Sequence, residues 1–423
     1  MKNFYKFVLT AMTSAALVGC GNSEVSDDGQ IVIKFANYAV LEAGYDVFWE
    51  GVKENFEALH DNISIEWVSA PYNESINQVL NMAGGGDRVD LIFGEIDWIP
   101  VLEDSGLITA VENILSEEFI ADLYPSMVAG CSVDGVQYGV PVYASPFLLY
   151  YNTDLFKQAN IAAPPSTYAE MLVAAEALAK LTTADGNKVY AFGQTTASVP
   201  VSGASINAML HNFGGHLLNA DGTLNMDTEP LTETMEMIHL LDAKGYNPQN
   251  AKLKDLRNLF ALGQLAMYYD QSWGFNGVQS INPAATEFTA SAPPLAGGDG
   301  DGASLLQAHT IMLVDNQDAA VADAVRMLVE YIITEETLSD YLANQTPAYP
   351  SRISMENMDA IANHKILQGA AGSLNNLIIT PFVPALSDIN LELSALAQAV
   401  TVADKDIETS VDAFIENVSS MLE

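Results

Sequence analysis

A chain of 423 residues with 16 basic and 54 acidic side chains has a formal net charge of −38, which repels phosphate backbones and anionic headgroups and excludes nucleic acid as a partner. With 49% hydrophobic and 17% charged residues, it has the apolar mass for two or three packed domains and is neither a disordered tail nor a coiled coil. Its two cysteines, Cys20 and Cys131, are too few for a disulfide scaffold, and without clustered histidines they make no structural zinc site; no cofactor or metal is expected.

The chain opens with Lys2 and Lys6 ahead of a short apolar run, Phe7 to Val18, that closes on Leu17-Val18-Gly19-Cys20. That run falls short of the ~20 residues of a spanning helix and resembles a bacterial lipoprotein export signal. The resemblance implies removal of residues 1–19, acylation of Cys20 as a lipid anchor, and a polar tether over residues 20–30. The expected product is an exported lipoprotein on the periplasmic or extracellular face of the cytoplasmic membrane.

Ile31, Ile33 and Phe35 alternate as on a strand face, and Tyr45, Phe48, Val52, Phe56 and Leu59 recur at helical spacing. A strand over Ile63–Val68, a helix over Tyr72–Met82 and a strand over Asp90–Phe93 continue the alternation, which implies a parallel sheet. Ligands sit outside the carboxyl ends of such strands, which singles out Asn37 and Tyr38 after the first strand and Glu95, Asp97 and Trp98 after the third. Phe147–Tyr151 begins a second unit, and Thr167 with Glu170 forms a capping box ahead of a helix over Tyr168–Leu181. Asn219–Gly222 is a turn, Leu231–Leu241 and Leu253–Leu262 are helical, and a strand over Leu265–Tyr269 runs to Asp270 and the loop Gln271-Ser272-Trp273. Beyond it lie a strand over Leu305–Val314, a helix over Ala319–Tyr331, and two amphipathic helices, Leu391–Val400 and Ile407–Leu422.

The series Asp134-Gly135-Val136-Gln137-Tyr138-Gly139-Val140-Pro141, Leu149-Tyr150-Tyr151-Asn152-Thr153-Asp154-Leu155-Phe156 and Pro164-Pro165-Ser166-Thr167-Tyr168 resembles the central signature of family 1 extracellular solute-binding proteins, the binding components of ABC sugar importers. The likeness continues through Phe213-Gly214-Gly215-His216, Phe260 to Met267, Ser272-Trp273, Ala292-Pro293-Pro294 and Thr346-Pro347. It implies an α/β, two-lobed periplasmic-binding-protein fold of type II, each lobe a mainly parallel sheet flanked by helices, with the ligand cleft between lobes. Residues 31–143 plus 309–347 would form lobe 1 and residues 144–308 plus 348–423 lobe 2, so that the chain crosses near residues 144, 308 and 348. Tyr143 and Ser145 would then lie at the first crossing, Gln307 and His309 at the second, and Trp273 would stack on a sugar ring. The partners implied are a neutral carbohydrate and ABC permease transmembrane subunits, with the binding protein a monomer and not an enzyme.

Binding a neutral sugar takes flat aromatic faces against C–H surfaces and carboxylates or amides to accept hydroxyl protons. Tyr38, Trp98 and Trp273 offer the faces; Glu95, Asp97 and Asp270 offer acceptors. These loops carry no Lys or Arg, so an anionic cargo is disfavoured. Each residue also has a plainer reading: a loop aromatic seals a helix on its sheet, Trp273 packs between lobes, His309 is a satisfied core histidine, and a loop carboxylate in so acidic a chain is solvated surface. The alternative class is an exported carbohydrate-active enzyme with Asp97 and Asp270 as acid and base. Gly84-Gly85-Gly86 lacks the Gly-Lys-Ser/Thr ending of a phosphate loop.

Overall fold

The strands that matter for the site are β1 (Ile31–Asn37), β2 (Ile63–Val68), β3 (Leu91–Glu95), β4 (Gly139–Ala144), β5 (Phe147–Asn152), β6 (Met267–Gln271), β7 (Thr289–Ala292), β8 (Ala308–Leu313) and β9 (Tyr349–Pro350). The computed structural model describes residues 29–422 apart from 43, 44, 299, 316, 370, 382 and 384; the export signal and Cys20 lie outside the described residues. One sheet runs β9-β4-β8-β3-β1-β2 and a second runs β6-β5-β7.

Alternation decides which face of β1 is buried: Ile31, Ile33 and Phe35 enter the first core, where they meet Trp49, Val52 and Phe56 of helix α1 (Asp46–Leu59). Helix α2 (Tyr72–Gly84) covers the other face, so β1, β2 and β3 pair in parallel as the alternation of strand and helix requires. The expectation of mainly parallel sheets needs correction, however. β8 returns from the other lobe and inserts antiparallel between β3 and β4, and β5 is antiparallel to both β6 and β7. Such a strand returns without the right-handed crossover that imposes parallel pairing, so the first sheet is mixed and the three-stranded second sheet is antiparallel.

In the second lobe, the Thr167 side chain accepts the Glu170 backbone N–H at 3.1 Å and starts helix α3 (Tyr168–Leu178), while Glu170 returns to the Ser166 N–H at 2.9 Å, one residue earlier than in a simple capping box. Helix α4 (Pro200–Asn212) is buried on nearly all sides. Helix α5 (Ala319–Ile332) packs on the first sheet, whereas α6 (Leu386–Thr401) and α7 (Ile407–Leu422) close the second core around Ile389, Leu393 and Phe414.

The cores mark where the chain passes between lobes. Ala144 belongs to the first core and Phe147 to the second; Leu305 belongs to the second and Leu306 to the first. The last passage falls later than the expected residue 348. Tyr349, Met355, Met358, Ile361, Leu367 and Leu374 belong to the first core, whereas Ile366 between them packs with Leu148 and Tyr150 of β5, and the Ser291 hydroxyl of β7 donates to its carbonyl; Val383 then enters the second core. The stretch after Thr346-Pro347 thus packs mainly on the first lobe and touches the second through Ile366.

Helices α4 and α6 approach so closely at Gly203 that an added Cβ would lie 1.7 Å from the Asn390 carbonyl oxygen. Gly203→Ala is therefore expected to destabilise the protein by about 2–3 kcal/mol through overpacking. Gly51→Ala, at a helical glycine with open space around it, is expected to stabilise by about 0.5 kcal/mol. Urea midpoints check both, and equal midpoints for the two variants would count against this packing.

Candidate ligand cleft

At the end of β1 the Asn37 side chain accepts the Ala39 N–H at 2.9 Å, opening a short turn over Tyr38–Leu41 that turns Tyr38 toward the neighbouring strand ends. The Tyr38 hydroxyl lies 2.8 Å from His309 Nε2, and its ring is 5.1 Å from Tyr72 and 5.8 Å from both Phe93 and Trp98. His309 sits in β8 where the register against β4 slips between His309 and Thr310. A bulge of this kind re-aims a side chain. The imidazole stacks on Phe93 at 5.2 Å and meets Tyr143 at 5.1 Å and Trp273 at 5.7 Å. Trp273 comes from the loop after β6, so aromatic groups of the two lobes meet at His309.

Burial pushes the His309 pKa down to about 4, which leaves the ring neutral at pH 7. Glu95, 3.9 Å from His309 Nε2, therefore faces no cation there. Desolvation first, and then the Asp97 charge, raise the Glu95 carboxyl above the ordinary range, with the Tyr72 hydroxyl opposing them. Asp97 is open to solvent on one side, while the protein around it raises its carboxyl by desolvation.

From Asp97 a groove of about 1030 Å³ runs between the lobes. One wall is Ile96, Asp97, Ile99 and Pro100 with Ser132 to Asp134; the other holds the turn Ala220 to Leu224, Thr380 and the end of α7. Among the described lining residues there is no Lys, Arg or His. The groove is an array of carboxylate and hydroxyl groups set on aliphatic walls.

The structure brings Tyr38, Glu95, Trp98, Tyr143, Trp273 and His309 together in one cluster with Asp97 at its edge, but it uses several of the expected site residues internally. Asp270 is 0% exposed, bound by Arg257 through Nε at 2.6 Å and Nη2 at 2.7 Å, by the Tyr268 hydroxyl at 3.1 Å and by the Gln271 N–H at 2.9 Å. It is a sealed bidentate ion pair rather than a ligand contact, and it cannot act with Asp97 as an acid and base pair. Asn37 is a buried cap, and Trp98, 6% exposed, lies flat on Gly94, where a Cβ would come within 2.3 Å of its ring. Tyr143 is buried with its hydroxyl 3.2 Å from that of Tyr341. Ser145 and Ser272 are buried against each other at 2.7 Å, and the Trp273 N–H donates to Ser145 Oγ at 3.3 Å. Trp273 itself is half-buried on the first core. The Gln307 carbonyl accepts the Ser145 N–H at 2.7 Å, so this residue contributes its backbone to the crossing.

Sequence reading passed over Tyr72, Tyr341 and Thr380. Tyr72 was legible in principle, because it opens a helix directly after the second parallel strand. Tyr341 meets Tyr143 only through packing of the first core, and Thr380 reaches the groove only beyond the third passage of the chain.

Two lobes, a mixed sheet in one and an antiparallel sheet in the other, and a groove between them with no cation among its described lining residues define a cleft-type binding protein. A profile of the bacterial extracellular solute-binding proteins matches residues 52–369, and the chain belongs to that family. A binding protein of Brucella abortus (strain 2308) is 21% identical over 401 residues, 92% of this chain and 94% of that one. The mannitol-binding protein of Pseudomonas aeruginosa is 29% identical over 110 residues, 26% of this chain and 25% of that one. Among solved structures, the cyclic alpha-maltosyl-1,6-maltose binding protein of Arthrobacter globiformis superposes with a TM-score of 0.79 at 18% identity, covering 93% of this chain and 99% of that one. The sugar-binding protein MalE of Xanthomonas citri gives 0.78 at 20% identity, covering 92% and 97%. The fold is thus the type II, two-lobed binding-protein fold.

A carboxyl whose pKa is raised by folding stabilises the folded state below its ordinary pKa, and that contribution is lost as pH rises through the raised value. Glu95→Gln, which cannot ionise, is therefore expected to match the wild type in melting temperature near about pH 4 and to exceed it near about pH 7. A difference that is the same at both pH values would mean that Glu95 ionises in the fold as freely as in the unfolded chain.

Proposed function

We propose that the chain is the extracytoplasmic capture component of an ABC importer. It takes a neutral sugar, oligosaccharide or related polyol into the interlobe groove, and the closed lobes present the cargo to the permease transmembrane subunits. The observation that carries this reading is the groove itself: it has room for several sugar units and acceptors such as Asp97, and its described lining has no cationic side chain to hold an anion. Family membership supports a binding role, and the names of the mannitol-binding and cyclic maltosyl-maltose-binding relatives favour polyhydroxylated cargo. The enzyme alternative loses its proposed pair with the sealing of Asp270 by Arg257. In this reading Tyr38 and Trp273 line the cargo side of the aromatic cluster, and the protein works as a single copy tethered through acylated Cys20. No described helix is long and apolar enough to cross a membrane.

Thermal shift of residues 21–423 with mannitol, maltose and maltotriose, followed by isothermal titration, tests the cargo class, since a ligand that binds the folded state raises the melting temperature by mass action. A shift with at least one of them, one site per chain and no hydrolysis is expected. Asp97→Ala is expected to weaken that binding ~10- to 100-fold, as for loss of a charged hydrogen bond, with a melting temperature no lower than that of the wild type in the absence of ligand. Unaltered affinity would remove Asp97 from the site. For the anchor, Cys20→Ser is expected to move the protein from the membrane fraction to the soluble fraction on cell fractionation, and retention in the membrane would rule out acylation as its tether.

A further inference from the structure

Behind the second wall of the groove, α4 carries Asn207, which is 3% exposed. Its Nδ2 donates to Thr380 Oγ1 at 3.4 Å, while its Oδ1 has no hydrogen-bond partner among the described residues. Both residues border a cavity of about 10 Å³ shared with His211 and Pro381, room for about one water molecule. On its other side Thr380 lines the groove. A threonine hydroxyl has one proton to give and two acceptor positions. With one of those positions engaged by Asn207, the proton is left for another partner. Asp97 on the facing wall, when ionised, only accepts.

We propose that Thr380 is a cargo contact and Asn207 its positioning residue, so that the two walls read sugar hydroxyls in complementary senses: Asp97 accepts a proton from one hydroxyl, and Thr380 donates to another. The inference rests on the neutral-sugar reading and deepens it. It makes the groove selective for cargo with free hydroxyls, because an O-methylated oxygen accepts from Thr380 but gives Asp97 nothing. Asn207 acts through Thr380 and touches no cargo. Neither residue belongs to a motif in the sequence.

Isothermal titration with maltotriose and with mannitol tests this on the wild type, Thr380→Val, Thr380→Ser and Asn207→Asp, with each fold checked by circular dichroism. Thr380→Val is expected to weaken binding about tenfold, and Thr380→Ser to stay within about threefold of the wild type. Asn207→Asp, whose carboxylate takes the Thr380 proton for itself, is expected to match Thr380→Val. Should this variant fail to fold, the contrast between Thr380→Val and Thr380→Ser decides alone. Wild-type affinity in Thr380→Val overturns the inference and leaves the sugar reading intact. Binding of neither probe by the wild type overturns the sugar reading, and this inference with it.

Discussion

Two crossing segments lie side by side where the lobes meet, tied by the Ser145 N–H donating to the Gln307 carbonyl at 2.7 Å. The ladder between β4 and β8 continues directly from that bond, so the hinge is an extension of the first sheet rather than a pair of loose linkers. This constraint fixes the rest. It forces β8 to run antiparallel between β3 and β4, it places the bulge at His309 on the cleft side, and it sets Ser145 against Ser272 of the opposite lobe. Hinge closure of two packed bodies is a common response to ligand, and here the axis is carried by paired strands whose backbone groups are already satisfied.

The cluster at His309 follows from that frame. A neutral imidazole flanked by Phe93, Tyr143 and Trp273 has apolar faces to pack on and a polar edge that meets the Tyr38 hydroxyl. Protonating such a ring would place a charge among aromatic walls, which explains the downward push on its pKa. The carboxylates Glu95 and Asp97 stand at the solvent side of the same strand end. Chemistry is thereby graded along the cleft, from rings at the hinge to carboxylates and hydroxyls along the groove.

Much of this was legible in the residues. The alternation at Ile31, Ile33 and Phe35 and the helical spacing from Tyr45 place the first layers correctly, because local periodicity reports which face is buried. The Thr167 cap was readable for the same reason, since its partners lie within a few residues. Asp270 was not. Its partner Arg257 is on a helix 13 residues earlier, and nothing in a linear pattern says whether a carboxylate at a strand end faces solvent or a guanidinium. The course of residues 349–374 was hidden likewise, because they suit either core by composition, and only packing sets Leu367 in the first and Ile366 against the second lobe. Thr380 and Asn207 meet across 173 positions, a separation no spacing rule spans.

The ion pair of Arg257 and Asp270 has a consequence for how cargo is received. It lies immediately beneath the loop that carries Trp273, and Gly274 is pressed so close that a Cβ would meet the Asp270 carboxylate at 2.3 Å. The loop is therefore packed on a buried ion pair that forms with the fold, and the conformational entropy of holding that pair is spent during folding rather than at the moment of capture. What remains to be ordered on binding is the angle between two rigid bodies. A receptor organised in this way discriminates by whether a cargo lets the lobes meet, and the signal it presents to a membrane partner is an overall shape rather than the chemistry of the molecule inside.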